Sequence, residues 1–243
     1  MYIFFFKLKF LIKEYVLHYK YISMLPALFE AGLRNLVSEA PPSLTAFYRR
    51  NGAPEDIISL VGLSNKRFGG VCEKLVTNLV GGLNVPDSKG RSGWDMEFPM
   101  HKQENARFEV KSSRYWRSGK QSFFKWQHVL PDHEWSHLLL CAIDFDRLRM
   151  FALSKPQFMQ LICEGKITQQ GGAGGQGCWF EFKKIQGVAT ELTTEVDHGH
   201  GQISEYHIAL SEFVTANPAS NEPVSSDEIA EALARGMESR SKK

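Results

Sequence analysis

No part of this sequence offers the roughly 20 consecutive apolar residues that a bilayer-spanning helix needs. The nearest approach is the opening segment, MYIFFFKLKFLIKEYVLHYKYIS, whose aliphatic and aromatic run is broken by Lys7, Lys9, Lys13 and Lys20. That segment also lacks the charged start and the small-residue cleavage site of a secretory leader. Residues 1–23 are therefore expected to be an extension peripheral to the fold, with a more conventional helical pattern, MLPALFEAGLRNLVSEA, beginning at Met24. Cysteine is scarce and scattered. Cys72, Cys141, Cys163 and Cys178 show no CxxC spacing and mostly sit inside apolar runs, which argues against both a zinc site and a disulfide framework and points to a reducing, cytoplasmic setting. An excess of one charge is missing too: 29 Lys and Arg against 27 Asp and Glu leave +2, so bulk charge names no partner. No internal repeat is present. At 243 residues the chain fits one large domain able to bury a real core unaided.

What charge there is lies unevenly. Between residues 101 and 128, seven basic residues (Lys102, Arg107, Lys111, Arg114, Arg117, Lys120 and Lys125) accompany only Glu104 and Glu109, and Tyr115, Trp116, Phe123, Phe124 and Trp126 are interleaved with them. A basic stripe carrying aromatic rings is the footprint of a surface that tracks a phosphate backbone. A solvated loop has the same composition.

Hydrophobic spacing lays out the elements. Residues 25–50 read as one or two helices broken at Pro41–Pro42, APEDIISLVGLS as a short helix begun by Pro54, and NKRFGGVCEKLVTNLVGG as a helix packed through Phe68, Cys72, Leu75, Val76 and Leu79 and ended by Gly81–Gly82. GWDMEFP and ARFEVKSS read as an antiparallel hairpin with the loose connection MHKQEN, and residues 121–130 as a helix carrying Phe124, Gln127 and His128. HLLLCAIDF and RLRMFALS form the clearest strand pair, the first of them central and buried on both faces; a short helix begins near Pro156, and GGAGGQG feeds a strand, CWFEFKKI. Residues 24–216 are expected to form the main domain. After Asn217 a polar linker leads to a short C-terminal helix with a capping box at Ser225 and Glu228, which completes 217–243. The order of elements implies an α/β or mixed α+β class, with a central sheet flanked by helices.

The chemistry centres on ARFEVKSSRYW. Side chains alternate along a strand, so Glu109 and Lys111 share one face while Phe108 and Val110 take the other. An isolated ExK of this kind is most often a surface ion pair worth little. Hairpin geometry, however, brings Asp95 across from Glu109. Two carboxylates converging on one point repel unless a cation lies between them, and Mg²⁺ characteristically takes one or two protein carboxylates, several waters and substrate phosphate. Lys111 would face the same point, where an ammonium can orient or help deprotonate a water or neutralise charge on a phosphorane.

Asp95, then Glu109-Val110-Lys111 at the end of an apolar strand, then Gln127, resembles the PD-(D/E)xK nuclease superfamily and within it the type II restriction endonucleases. The resemblance covers about residues 65–155. It implies a restriction-endonuclease-like mixed sheet flanked by helices, Mg²⁺ held by Asp95, Glu109 and the Val110 carbonyl, and Lys111 serving the water. It also implies an assisting acid on the preceding helix, for which Glu73 is the match, and a polar residue beside the ExK strand, Gln127; an ordinary helix-surface Glu and a Gln bonding across a helix face remain the alternatives. The proline expected before the first acid is absent at Asp95, where Trp94 stands, whereas Pro86-Asp87 offers a literal Pro-Asp in a turn-rich loop. Asp95 is preferred and Asp87 is the competitor; Glu97 is a further group on the Asp95 face. Ser112, Ser113, Arg114, Arg117, Lys120 and Lys125 are expected to face phosphate or bases. DHGHG, with His198 and His200, lacks a third ligand and reads as a polar turn. The implied function is Mg²⁺-dependent, site-specific cleavage of double-stranded DNA by a homodimer with no membrane association. The rivals are a structure-specific repair, recombination or phage DNA-processing nuclease of the same fold, and a non-catalytic DNA-binding protein whose Asp, Glu and Lys form only an ion pair.

Overall fold

The computed structural model describes residues 42–85, 93–100, 104–118, 121–170, 176–192 and 202–242. The segments carrying the N-terminal extension, Asp87, Lys120, His198 and His200 lie outside the described residues.

Three helices come first: α1 (Pro42–Arg50), α2 (Glu55–Val61) and α3 (Asn65–Val80). Pro54 precedes α2 in extended conformation and Glu55 and Asp56 occupy its first turn, where the helix dipole favours them. α3 ends at Gly81, whose φ of 67° is the left-handed conformation that glycine adopts without strain. Strands β1 (Leu83–Asn84), β2 (Met96–Phe98) and β3 (Ala106–Arg114) follow, then a two-stranded ribbon of β4 (Trp116–Ser118) and β5 (Gln121–Phe123), and β6 (Lys125–Val129). The helix expected over 121–130 is therefore a pair of strands. Its residues alternate, Phe124, Trp126 and Val129 buried while Lys125 and Gln127 are only half-buried, and burying two aromatic rings on one face of an extended chain outweighs a weak helical preference.

β7 (His137–Ile143) and β8 (Leu148–Ser154) pair as expected, and every residue of β7 is buried. The helix α4 (Lys155–Cys163), β9 (Thr168–Gln169), β10 (Cys178–Glu181), the single turn α5 (Phe182–Ile185), β11 (Thr190–Leu192), α6 (Gln202–Ala216) and α7 (Ser226–Ser241) complete the described residues. The strand expected to run through CWFEFKKI thus stops at Glu181 and turns helical.

The main sheet is mixed, in the order β1-β2-β3-β7-β8-β11, with β3 parallel to β7 and the other neighbours antiparallel. A smaller sheet, β6-β10-β9, packs beside it. Two cores result. On one face Phe108, Val110, Leu139, Cys141 and Ile143 meet Phe68, Cys72, Leu75 and Val76 of α3 together with Leu210 and Phe213 of α6. On the other face Leu138, Leu140, Phe151 and Leu153 meet α4, Trp126 of β6 and Phe180 of β10. The architecture is the expected α/β class, a mixed central sheet flanked by helices. The four cysteines are free thiols. No helix among the described residues is long and apolar enough to cross a membrane.

The segment between α6 and α7 is strapped across the sheet. The Asn217 carbonyl accepts from His137 Nε2 (2.9 Å), Asn221 Oδ1 accepts from the Arg107 backbone N–H (3.2 Å), and the Glu222 carbonyl accepts from Lys155 Nζ (2.9 Å). α7 then lies so close to the end of α4 that a Cβ on Gly236 would sit 2.3 Å from the Ile162 carbonyl oxygen.

Candidate active site

β3 and β7 pair over their whole shared length, from Phe108 opposite His137 to Arg114 opposite Ile143. On its other edge β3 has a strand partner only up to Phe108, because β2 begins at Met96, opposite it. Asp95 finishes that hairpin. Its backbone N–H donates to the Phe108 carbonyl (2.8 Å) and its Oδ2 accepts the Val110 N–H (2.8 Å). A side chain here takes the place of a strand's carbonyl, so the Asp95 carboxylate is fixed against the peptide group that joins Glu109 to Val110. Strand alternation alone would put Trp94 on one face with Met96 and Phe98, but the two latter lie in the first core and Trp94 does not join them. It packs with the opposite core, and the Arg107 guanidinium lies 4.1 Å from its ring centroid.

Beyond this point the free edge of β3 opens into a cleft of about 690 Å³. α1 and α3 form one wall, while the ribbon and β6 form the other. Glu73, Asp95, Val110, Lys111, Ser112, Ser113, Arg114, Arg117, Lys125 and Gln127 all border it. Glu109 lies beneath, 5 % exposed, and makes an ion pair with Lys111. Burial drives the Glu109 carboxyl up to about 7; the Lys111 charge pulls it down and that of Asp95 pushes it further up. For Lys111, burial disfavours the ammonium, but Glu109, Asp95 and Glu73 together outweigh it and its affinity for the proton rises. Three carboxylates are thus close enough to stabilise one cation at the floor of the cleft.

Other expected residues are committed to the fold. The Arg114 guanidinium caps the end of α2, donating to the carbonyls of Val61 and Leu63 (2.7 Å to the latter) and to Asn65 Oδ1 at the start of α3 (2.7 Å). Ser113 Oγ accepts the Lys125 N–H (3.0 Å), which ties β6 to β3. Glu97 accepts from Asn105 Nδ2 (3.3 Å) farther along the hairpin, and Arg107 pairs with Glu104 and Glu134. Arg117 rests over the Phe47 ring at 4.8 Å. Lys125 Nζ lies 4.2 Å from the Trp179 centroid and 5.2 Å from that of Trp116. Gln127 reaches the cleft from β6 and not from a helix.

Two features of the cleft escaped the sequence reading. Gly69 and Gly70 lie inside α3 and border the cleft, yet a Cβ at either would meet nothing within 4 Å. Two helix-interior glycines each cost about 1 kcal/mol although no packing inside the protein requires them. The second is His128, which has φ 60°, the one positive φ of a non-glycine among the described residues. Its Nδ1 donates to the Gln176 carbonyl (2.8 Å), and Gly177 is packed so tightly on it that a Cβ would approach the His128 Cα at 3.1 Å. A glycine doublet within an otherwise regular helical pattern was the available signal for the first; no pattern signals the second.

Among the described residues no group of three His, Cys, Asp and Glu side chains forms a ready metal cage. The groups that could hold a cation here, the Asp95 and Glu109 carboxylates and the Val110 carbonyl, offer only oxygen, which suits a hard ion that keeps most of its waters; the Lys111 ammonium already neutralises the same carboxylates. No known protein family's model matches the chain, and no curated protein matches it.

Proposed function

We propose that this protein is a Mg²⁺-dependent endonuclease of the PD-(D/E)xK kind, which hydrolyses double-stranded DNA at defined sites. The observation that carries the reading is the junction of β2 and β3, where Asp95 grips the strand on both sides of Glu109 while Lys111 rises from the same face into an open, cation-lined cleft. A structural ion pair alone requires no second acid bonded to the strand at that point and no cleft above it.

In this reading Asp95, Glu109 and the Val110 carbonyl would hold Mg²⁺, which would supply Lewis-acid stabilisation of phosphoryl charge and a water of lowered pKa. Lys111, kept protonated by its acidic neighbours, donates to a non-bridging phosphate oxygen and offsets charge that grows as the water oxygen attacks phosphorus. Of the two roles open to an active-site ammonium, charge neutralisation suits a raised pKa and proton abstraction does not. The bond from phosphorus to the 3′-oxygen breaks, the attacking water gives up its proton to solvent and the departing 3′-oxygen takes one from solvent, leaving a 5′-phosphate and a 3′-hydroxyl. Gln127 and Glu73 on opposite walls position the water and the strand, and Arg117 and Lys125 hold flanking phosphates. Cutting both strands of a duplex calls for two such sites, which a two-fold homodimer supplies.

Incubation with a sequenced plasmid in Mg²⁺, followed by mapping of the ends, tests this. Discrete fragments that vanish in EDTA support it. Cleavage confined to branches, flaps or ends would keep the chemistry and reassign the task to DNA repair or processing, and binding with no nicking would reduce the site to an ion pair.

A further inference from the structure

The β4–β5 ribbon stands apart from both larger sheets at the rim of the cleft. Its base is anchored firmly. Tyr115 stacks on Phe124 (4.3 Å between centroids) and on Phe145 (4.7 Å), and its hydroxyl donates to Asp144 (3.0 Å). Above this anchor Trp116 is 44 % exposed, one of few large apolar side chains left open among the described residues, and it borders the cleft. Lys125 lies between its ring and that of Trp179. An indole on a ribbon anchored at its base is unfavourable while it faces water, and the adjacent ammonium lies against two aromatic rings. A flat apolar ring beside a fixed cation matches the two parts of a single nucleotide, a base that stacks and a phosphate one bond series away.

We infer that Trp116 is a stacking platform for an unstacked base, with Lys125 holding the phosphate of the same nucleotide, so that the cleft takes DNA with at least one base out of the helical stack near the cut. This rests on the nuclease reading given above and deepens it by naming the form of the substrate. A fully stacked duplex offers only base edges and backbone to a groove-side ring, so it would leave the indole face unused.

The test is binding without cleavage. Fluorescence anisotropy in EDTA compares a labelled single-stranded oligonucleotide, its intact duplex, and the duplex with one unpaired 2-aminopurine. Trp116→Ala should weaken binding to the single strand and to the bulged duplex about tenfold or more, as loss of one stacked base does, and should change binding to the intact duplex much less. Trp116→Phe should restore most of the loss, and quenching of the 2-aminopurine on binding should disappear only in Trp116→Ala. Lys125→Gln should weaken all three and lower the salt slope by about one. Equal affinities of wild type and Trp116→Ala for the unpaired substrates, or an equal loss on every substrate, would overturn the platform while leaving the nuclease intact. Failure of the wild-type protein to bind any DNA would overturn both.

Discussion

Two lysines show how differently one fold can use an ammonium withdrawn from bulk water. Lys155, at the start of α4, is 5 % exposed and borders a groove of about 460 Å³ between α4 and α7. It donates to the carbonyls of His133 (2.7 Å) and Glu222 (2.9 Å), lies 4.7 Å from the Trp135 centroid, and has its pKa brought down to about 8 by burial. Lys111 is surrounded instead by carboxylates that raise its pKa, and it opens onto the larger cleft. The first lysine closes a seam between the C-terminal strap and the sheet. The second neutralises a cluster of acids at the floor of the cleft, where the proposed reading places metal and substrate. Burial is common to both, so the composition of the shell is what separates a seam from a site.

Exchanging the two ammonium groups for an apolar chain sharpens that difference most. Lys111→Met should lower the cleavage rate by about 10²–10³ with DNA binding retained, and Asp95→Asn, which still accepts the Val110 N–H, should do the same; single-turnover assays on plasmid read both. Lys155→Met should instead leave the activity of the folded fraction unchanged and cost about 1–3 kcal/mol of stability in urea, because two carbonyls lose their donor. Activity loss in Lys155→Met at full folding would erase the distinction.

The acids of the cleft give the next largest effect. Burial raises the Glu109 carboxyl from its ordinary 4.5 to about 7 in the folded protein. Between those two values the folded state binds a proton that the unfolded state has released, so stability of the metal-free protein should fall as pH rises through this window, by on the order of 2–3 kcal/mol, and then level off. The raised pKa of Lys111 acts only in alkali and leaves the window untouched. Glu109→Gln should flatten the profile, and denaturation curves across the range check it.

The smallest effect is also the most diagnostic in sign. Gly70→Ala should stabilise the protein by up to about 1 kcal/mol, since α3 gains a better helix former and the added methyl meets nothing within 4 Å. If the space above α3 is kept for a DNA backbone, the same change should weaken DNA binding. A gain in melting temperature with no change in affinity would make the glycine doublet an accident.

The central strand pair, the packed helix ending at Gly81 and the Asp95 hairpin were legible because periodicity and turn residues point the same way in each. Residues 121–129 were not. FKWQHV alternates with a period of two, but its flanking aromatics mimic a helical stripe, and only the partner strands decide between the two. Arg114 shows a second limit. Its neighbours in sequence suggest nucleic acid, whereas its guanidinium satisfies carbonyls at the end of α2, about fifty residues earlier in the chain. Long-range pairing of this kind leaves no local trace. Of the five basic residues of that stripe among the described residues, Arg107, Lys111 and Arg114 are thereby turned inward or paired, and Arg117 and Lys125 remain at the cleft.

The most direct measurement is a Mg²⁺ titration of plasmid cleavage by the wild-type protein alongside Asp95→Asn. Supercoiled DNA should pass to nicked and linear forms with 5′-phosphate ends for the wild type only. Both proteins binding the plasmid with equal affinity and leaving it supercoiled at every Mg²⁺ concentration would contradict the proposal.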